Sequence, residues 1–253
     1  MATDPHFGPR AVPPSSWRRW LAAGVALTTR RVGAFVMLGA AGAILHAVPA
    51  GIGLGVMAVP LVLGLGCLVA ECGDHARPVL GALRDKPLRV HARLALIGVA
   101  FGLGTWIAGI LVVLFAGAVG VDPTGVPLPS TTSSRSLAEA LCASWLLSAG
   151  VTLFGGAVVL GLLVPLVALG ELPVGMAFVQ AIAAIRLNPF VVFATAALAC
   201  TAVVGLVTPF LAIPWTAIVS ATLYVAYRDV FLGRSDNAPL PAGRAATAPA
   251  LGA

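Results

Sequence analysis

Charge is the scarcest commodity in this chain: only 9% of its 253 residues are Asp, Glu, Lys or Arg. Ordinary globular domains carry about a quarter, and a soluble surface cannot be covered without it. Apolar residues make up 59%, which argues strongly against a water-soluble globule of this length. Cysteine is sparse too. Cys67, Cys72, Cys142 and Cys200 form no CxxC pair and lie in or near apolar runs, so neither a disulfide framework nor a zinc finger is indicated. No Walker loop, HExxH, GxSxG or dinucleotide fingerprint occurs, which removes the usual signatures of phosphate, zinc, acyl and NAD chemistry. The pair Arg18-Arg19 is followed by too short an apolar stretch for a cleavable signal, so the opening residues are expected in the mature protein.

What is present is long uncharged stretches. None of the four residue types falls between Arg31 and Glu71, Arg93 and Asp122, Glu139 and Glu171, or Arg186 and Arg228. A helix needs about 20 apolar residues to cross a bilayer, so the outer two stretches hold two spans each and the inner two hold one. "HAVPAGIG" (46–53) and "TPFLAIP" (208–214) supply the turns inside the double stretches. The expected fold is therefore all-α and integral to a membrane, with six transmembrane helices near 32–48, 52–71, 94–120, 142–168, 190–208 and 212–228. The first span is expected to extend into the residues before Arg31. The fourth is longer than a bilayer requires and predicts either a tilt or a non-inserted start.

Fourteen of the fifteen basic residues fall before the first span or in the even-numbered connections and the C-terminal tail; only Arg135 falls elsewhere. This asymmetry predicts a bacterial inner-membrane protein with both termini cytoplasmic. The net charge of +6 then serves topology and anionic lipid headgroups rather than nucleic acid. Tails over 1–14 and 233–253 are expected to be disordered, flanking a membrane domain over 15–232.

Each hairpin is preceded by a shorter segment of helical periodicity. Trp17, Trp20, Leu21, Gly24 and Val25 share one predicted face; so do Val79, Leu80 and Leu83, and Val174, Phe178, Ile182 and Ile185. Three short interfacial amphipathic helices are the expectation. The second span of each hairpin carries a proline: Pro60, Pro165 and Pro214. Tyr224 and Tyr227 predict an interfacial belt, and Trp106 is expected to pack within the bundle. Gly51/Gly55 and Gly98/Gly102 have the GxxxG spacing of close helix contacts, which permits oligomers. His46 is expected at a shallow, hydrated depth.

The opening Trp- and Arg-bearing helix, the "PLV" segments and the closing "LYVAYRDVF" resemble a group of six-span bacterial inner-membrane proteins classed as domains of unknown function. Their layout is similar to the membrane domain of glycerophosphoryl diester phosphodiesterase. The resemblance covers about residues 15–232 and implies a membrane fold. The phosphodiesterase catalytic domain has no counterpart in that stretch, so its chemistry is not implied.

One segment gathers reactive side chains. "ECGDH" places Glu71, Cys72, Asp74 and His75 together, and Cys67, Glu71 and His75 would share a helical face, the raw material of a transition-metal site. Metal sites need three or four converging ligands, and Gly73 and Pro78 interrupt the segment. The favoured expectation is the solvated end of a span terminated at Gly73, with no metal, no cofactor and no catalytic residue. Embedded Thr105, Ser144, Ser148, Thr152, Thr201, Thr216 and Ser220 are expected to serve helix packing. Function is thus expected to be non-enzymatic, a scaffold or accessory subunit with a membrane-protein partner or self-association. A carrier of a lipid-like or weakly polar small molecule is the alternative, suggested by the prolines and embedded hydroxyls.

Overall fold

The computed structural model describes residues 8–47, 51–119, 160–200 and 209–233. All regular structure among them is helical. In chain order the helices are α1 (Ser16–Arg30), α2 (Val32–Ala47), α3 (Gly51–Asp74), α4 (Val79–Asp85) and α5 (Leu88–Val119). After them come α6 over 160–168, α7 (Val174–Leu187), α8 (Pro189–Cys200) and α9 (Pro209–Leu232).

Proline sets most of the corners. A residue before proline is pushed out of the α region, and proline itself fits the first helical turn. Lys86, before Pro87, is extended with ψ 128°, and α5 begins directly after it. Asn188, before Pro189, sits at φ −132°, ψ 51° and divides α7 from α8. The corner at Arg31 has no proline, yet the axes of α1 and α2 diverge there by 99°. The sequence reading extended the first span into the residues before Arg31; the chain there is helical as α1, but it turns away from α2 nearly at right angles.

Alpha-9 is the centre of the molecule. It packs against α1, α2 and α3, while α3 also packs on α2 and α5. From Val219 to Phe231 every residue of α9 except Arg228 is buried, the signature of a helix surrounded on all sides. Its neighbours approach closely because they offer glycines. A Cβ on Gly24 of α1 would lie 2.5 Å from Thr222 Oγ1, and one on Gly66 of α3 would overlap the Ser220 side chain.

The outward faces are the unusual part. Alpha-7 buries Ala177, Ala181 and Ala184 and turns Met176, Phe178 and Val179 outward. On α5, Val90, Leu94, Ile97 and Phe101 are buried, while Leu96, Val99, Leu103, Trp106, Ile107, Ile110 and Leu111 form an exposed stripe. On α7, then, small side chains face in and bulky apolar ones out, the pattern of helices packed in hydrocarbon; α5 buries bulky side chains as well and is set apart by the equally bulky apolar stripe on its open side.

Among the described residues, two helical stretches are long and apolar enough to cross a membrane, Met57–Asp74 and Leu88–Ala108. A third qualifies if the bent pair α1–α2 counts as one. This is fewer than six. Residues 142–159 and 201–208, which carry much of the expected fourth and fifth spans, lie outside the described residues, as do the loop around Arg135 and the tail after Gly233.

Several expectations are corrected. The third long helix starts at Leu88 rather than 94, because Pro87 is the nearest breaker. The turn expected at 208–214 is helical from Pro209 on, and Pro214, like Pro60 in α3, lies within a helix. Gly73 does not end α3. The chain leaves the helix at Ala76, whose φ is 54°, while the Arg77 N–H reaches back to the Cys72 carbonyl at 2.9 Å. Of the expected apolar face of α1, Trp20 and Gly24 are turned inward together with Ser16 and Leu27, and α4 has no fully buried residue, Val79 alone packing partly against the core. Trp106 is 53% exposed rather than packed inside. Tyr224 and Tyr227 are buried, not arrayed as a belt. Gly98 and Gly102 do make a helix contact, with Met57 of α3. Of the side chains at Gly51 and Gly55, at His46 and at Thr105, nothing is described.

Candidate functional site at the polar end of the bundle

The charged groups meet at one end. Three clasps join helix termini that lie far apart in sequence.

The first clasp centres on Asp229, near the end of α9. Its Oδ2 accepts a hydrogen bond from the buried Trp20 Nε1 at 2.9 Å. Arg10 donates through Nε and Nη2 to the Asp229 carbonyl, both at 2.9 Å, and its Nη2 stands 3.5 Å from Oδ1. Arg19 Nη2 lies 3.8 Å from Oδ2. The chain around Arg10 is gripped a second time by Asn188, which is buried at the α7–α8 corner. Asn188 Oδ1 accepts from the Val12 N–H at 2.8 Å, and its Nδ2 donates to the Arg10 carbonyl at 2.9 Å. This side-chain amide reads an extended backbone on both edges. The sequence reading put residues 1–14 in a disordered tail; from Arg10 on, the chain is tied to α9 and to the α7–α8 corner.

The second clasp joins α3 to α9. Asp74 Oδ2 accepts from the Tyr224 hydroxyl at 2.7 Å and from Arg228 Nη1 at 2.8 Å. Tyr224 and Arg228 are four residues apart and so share a helical face; the guanidinium also lies 5.9 Å from the tyrosine ring centroid. Arg228 is only 14% exposed and Asp74 13%, so water cannot substitute for either partner. Tyr224→Phe is expected to cost about 1–2 kcal/mol, by leaving Asp74 one donor short. Thermal unfolding in detergent measures this, and a double-mutant cycle with Asp74→Asn should return a coupling of similar size. A coupling near zero would show that the hydroxyl contributes nothing.

The third clasp is built on Glu171, which follows α6 in the left-handed region at φ 55°. Such a backbone costs a non-glycine residue energy, and the contacts it permits offset that cost. Lys86 Nζ meets Oε1 at 3.1 Å, Arg93 Nη1 donates to the Glu171 carbonyl at 2.8 Å, and Arg89 lies 3.9 Å from Oε2.

The "ECGDH" residues are not brought to one point. Cys72 is buried. His75 is exposed, with Nδ1 and its own N–H each 3.0 Å from the Glu71 carbonyl. Asp74 faces Tyr224 and Arg228, and the Cys67 thiol lies 3.4 Å from the Ser220 carbonyl. Among the described residues no three His, Cys, Asp or Glu side chains are placed to hold a metal. The helix continues through Gly73, so Cys72 and Asp74 point to different sides of it.

Sequence reasoning passed over Arg10, Asn188 and Asp229 as site residues. One signal was available: a tryptophan buried on an amphipathic helix needs an acceptor for its indole N–H, and Asp229 is the one acid in 209–232. The role of Asn188 carried no sequence signal. No family model, curated protein or solved structure matches the chain.

Proposed function

We propose that the chain is a multi-pass protein of the bacterial inner membrane that acts without chemistry of its own, as a scaffold or accessory subunit working through helix packing and lipid contact. Six spans and a cytoplasmic polar end complete the reading, in keeping with the six-span family layout that the sequence resembles. The observation that carries it is the bulky apolar surface that α5 and α7 turn outward. On α5 a stripe from Leu96 to Leu111 is exposed, on α7 Met176, Phe178 and Val179 are exposed while alanines face in, and the charged residues pair with one another at one end. Such a surface is costly in water and costs little in hydrocarbon. Pairing also occupies the charges: each clasp locks helix ends together.

Tags at both ends and one near Ser130 test the membrane arrangement. Protease or thiol reagents applied to sealed inverted vesicles should reach both ends and not the Ser130 tag; reaching all three from one face would end the six-span reading. Purification in mild detergent should recover a stable partner or a defined self-assembly, and a monodisperse monomer without partner counts against the scaffold role.

A carrier is the second reading, favoured by one specific feature. Ser220 Oγ and Thr222 Oγ1 are buried with no hydrogen-bond partner, and hydroxyls left open in a bundle can take up a substrate. Close packing of Gly66 and Gly24 onto those same side chains favours a helix contact instead. Ser220→Ala with Thr222→Val separates the two readings. A packed interface keeps or gains stability on losing unsatisfied hydroxyls, whereas a carrier loses uptake of its substrate.

A further inference from the structure

We propose that the corner between α4 and α5 binds anionic phospholipid headgroups, with Arg84 and Arg89 as the headgroup ligands and Leu80 and Leu88 seated in the acyl region beside them. This rests on the membrane reading above and adds a defined lipid site to it. Leu80 and Leu88 are 83% and 82% exposed, the most exposed of the large apolar residues among those described, yet they sit at the polar end rather than on the apolar stripe of α5. The corner is nonetheless firmly built. Lys86 and Arg93 anchor it to Glu171, and Arg31 Nη2 donates to the Arg77 carbonyl at its start. Leu80 and Arg84 are four residues apart on α4 and share a face; Leu88 and Arg89 open α5 just past Pro87.

The arginines are available. Arg89 is 64% exposed and reaches Glu171 only at 3.9 Å, and Arg84 is exposed. From Arg77 to Arg93 the chain carries five basic residues against the single acid Asp85, and with Glu171 packed against Lys86 and Arg89 positive charge is still in excess over the corner. A firmly held corner with bare leucines beside exposed guanidiniums matches the boundary of a leaflet, where acyl chains meet phosphate. An acidic protein would match the charge but would have no reason to leave the two leucines uncovered.

Native mass spectrometry of the full chain in neutral detergent, supplied with phosphatidylglycerol or phosphatidylcholine, tests this. The wild type is expected to retain phosphatidylglycerol about tenfold better. The double variant Arg84→Gln/Arg89→Gln should fall to the phosphatidylcholine level. Arg84→Lys/Arg89→Lys should keep most of the preference, and Arg18→Gln, on α1, should keep all of it. Leu80→Ser/Leu88→Ser should lower retention of both lipids. Equal retention of the two lipids by the wild type, or full preference in the Gln variant at unchanged thermal midpoint, overturns the site and leaves the membrane reading standing. An acidic protein that co-purifies through Arg84 and Arg89 also overturns it. Recovery of the chain from the soluble fraction without detergent overturns the membrane reading itself.

Discussion

Replacing Gly98 with alanine is expected to destabilise the protein by about 3 kcal/mol, the cost of forcing extra volume into a contact that cannot yield. A Cβ at this position would overlap the Met57 carbonyl oxygen, with the carbonyl carbon 3.1 Å away. That neighbour is backbone within α3, so relief requires moving α3 against α5 as a unit. Two positions on the same helix calibrate the result. At Gly102 the new atom overlaps Met57 Cγ, with Cε at 3.1 Å and Sδ at 3.5 Å. Relief there requires the whole methionine side chain to turn but no backbone to move, so a smaller loss of about 1–2 kcal/mol is expected. At Gly104 nothing lies within 4 Å, and the gain in helix propensity should make the change neutral or stabilising by up to about 1 kcal/mol. Unfolding in detergent with increasing dodecyl sulfate ranks the three. If Gly104→Ala proves as damaging as Gly98→Ala, the outer face of α5 is a packed surface and not an open one.

This series also marks how far the sequence could be read. Spacing alone singled out Gly98 and Gly102 as a close-contact pair, because i, i+4 glycines leave a groove on one side of a helix. It could not say which glycine meets backbone and which meets a movable side chain, since that depends on the depth at which Met57 arrives. The same division runs through the fold. Long uncharged stretches predicted helices near 32–48, 52–71 and 212–228, and the structure has them at Val32–Ala47, Gly51–Asp74 and Pro209–Leu232, because apolar runs of that length are too long for strands. Helix faces needed the structure. On α7 the sequence put Val174, Phe178, Ile182 and Ile185 on one apolar face of an interfacial helix; the structure buries Ala177, Ala181 and Ala184, leaves Phe178 exposed and packs Val174 and Ile185 partly against the core. Periodicity finds an apolar stripe; it does not tell whether that stripe or the small residues beside it face the bundle. Where a helix is apolar on more than one side, as α7 is, size adds what periodicity lacks, and its closest contacts go to the smallest side chains.

The polar end was legible as a region and not as a set of pairs. Counting basic residues placed Arg77, Lys86, Arg89, Arg93, Arg186 and Arg228 on one side, and the contacts of Asp74, Glu171 and Asp229 bring those helix ends together at one end of the bundle. Which acid meets which base was hidden, because each pairing spans a large stretch of chain and depends on helix order. "ECGDH" shows the opposite error. Its four candidate ligands are adjacent in sequence, and adjacency on a helix turns consecutive side chains about 100° apart. Asp74 finds its partners on α9, and Cys72 and His75 point elsewhere.

Asp229→Ala is the second large effect, expected at about 3 kcal/mol, and its cause is less obvious than the ion pairs suggest. Arg10 and Arg19 are 47% and 44% exposed and stand 3.5 and 3.8 Å from the carboxylate. Pairs so hydrated contribute little, within about 1 kcal/mol together, and both guanidiniums can turn to water if the carboxylate is removed. Arg10 also keeps its two bonds to the Asp229 carbonyl, which any residue at 229 supplies. Trp20 has no such recourse. It is buried, its Nε1–H points at Oδ2 from 2.9 Å, and an orphaned donor there costs about 1–3 kcal/mol beyond the lost bond. Asp229→Asn separates these contributions, since the amide keeps an acceptor oxygen for Trp20 while deleting the charge. It should cost only about 1 kcal/mol, and that part should shrink as salt is raised. Trp20→Phe should cost about 2 kcal/mol in the wild type and much less in Asp229→Ala, where the indole has already lost its partner. If Asn and Ala at 229 prove equally damaging, the arginines and not the indole hold α1 to α9, and the α1 contact is electrostatic.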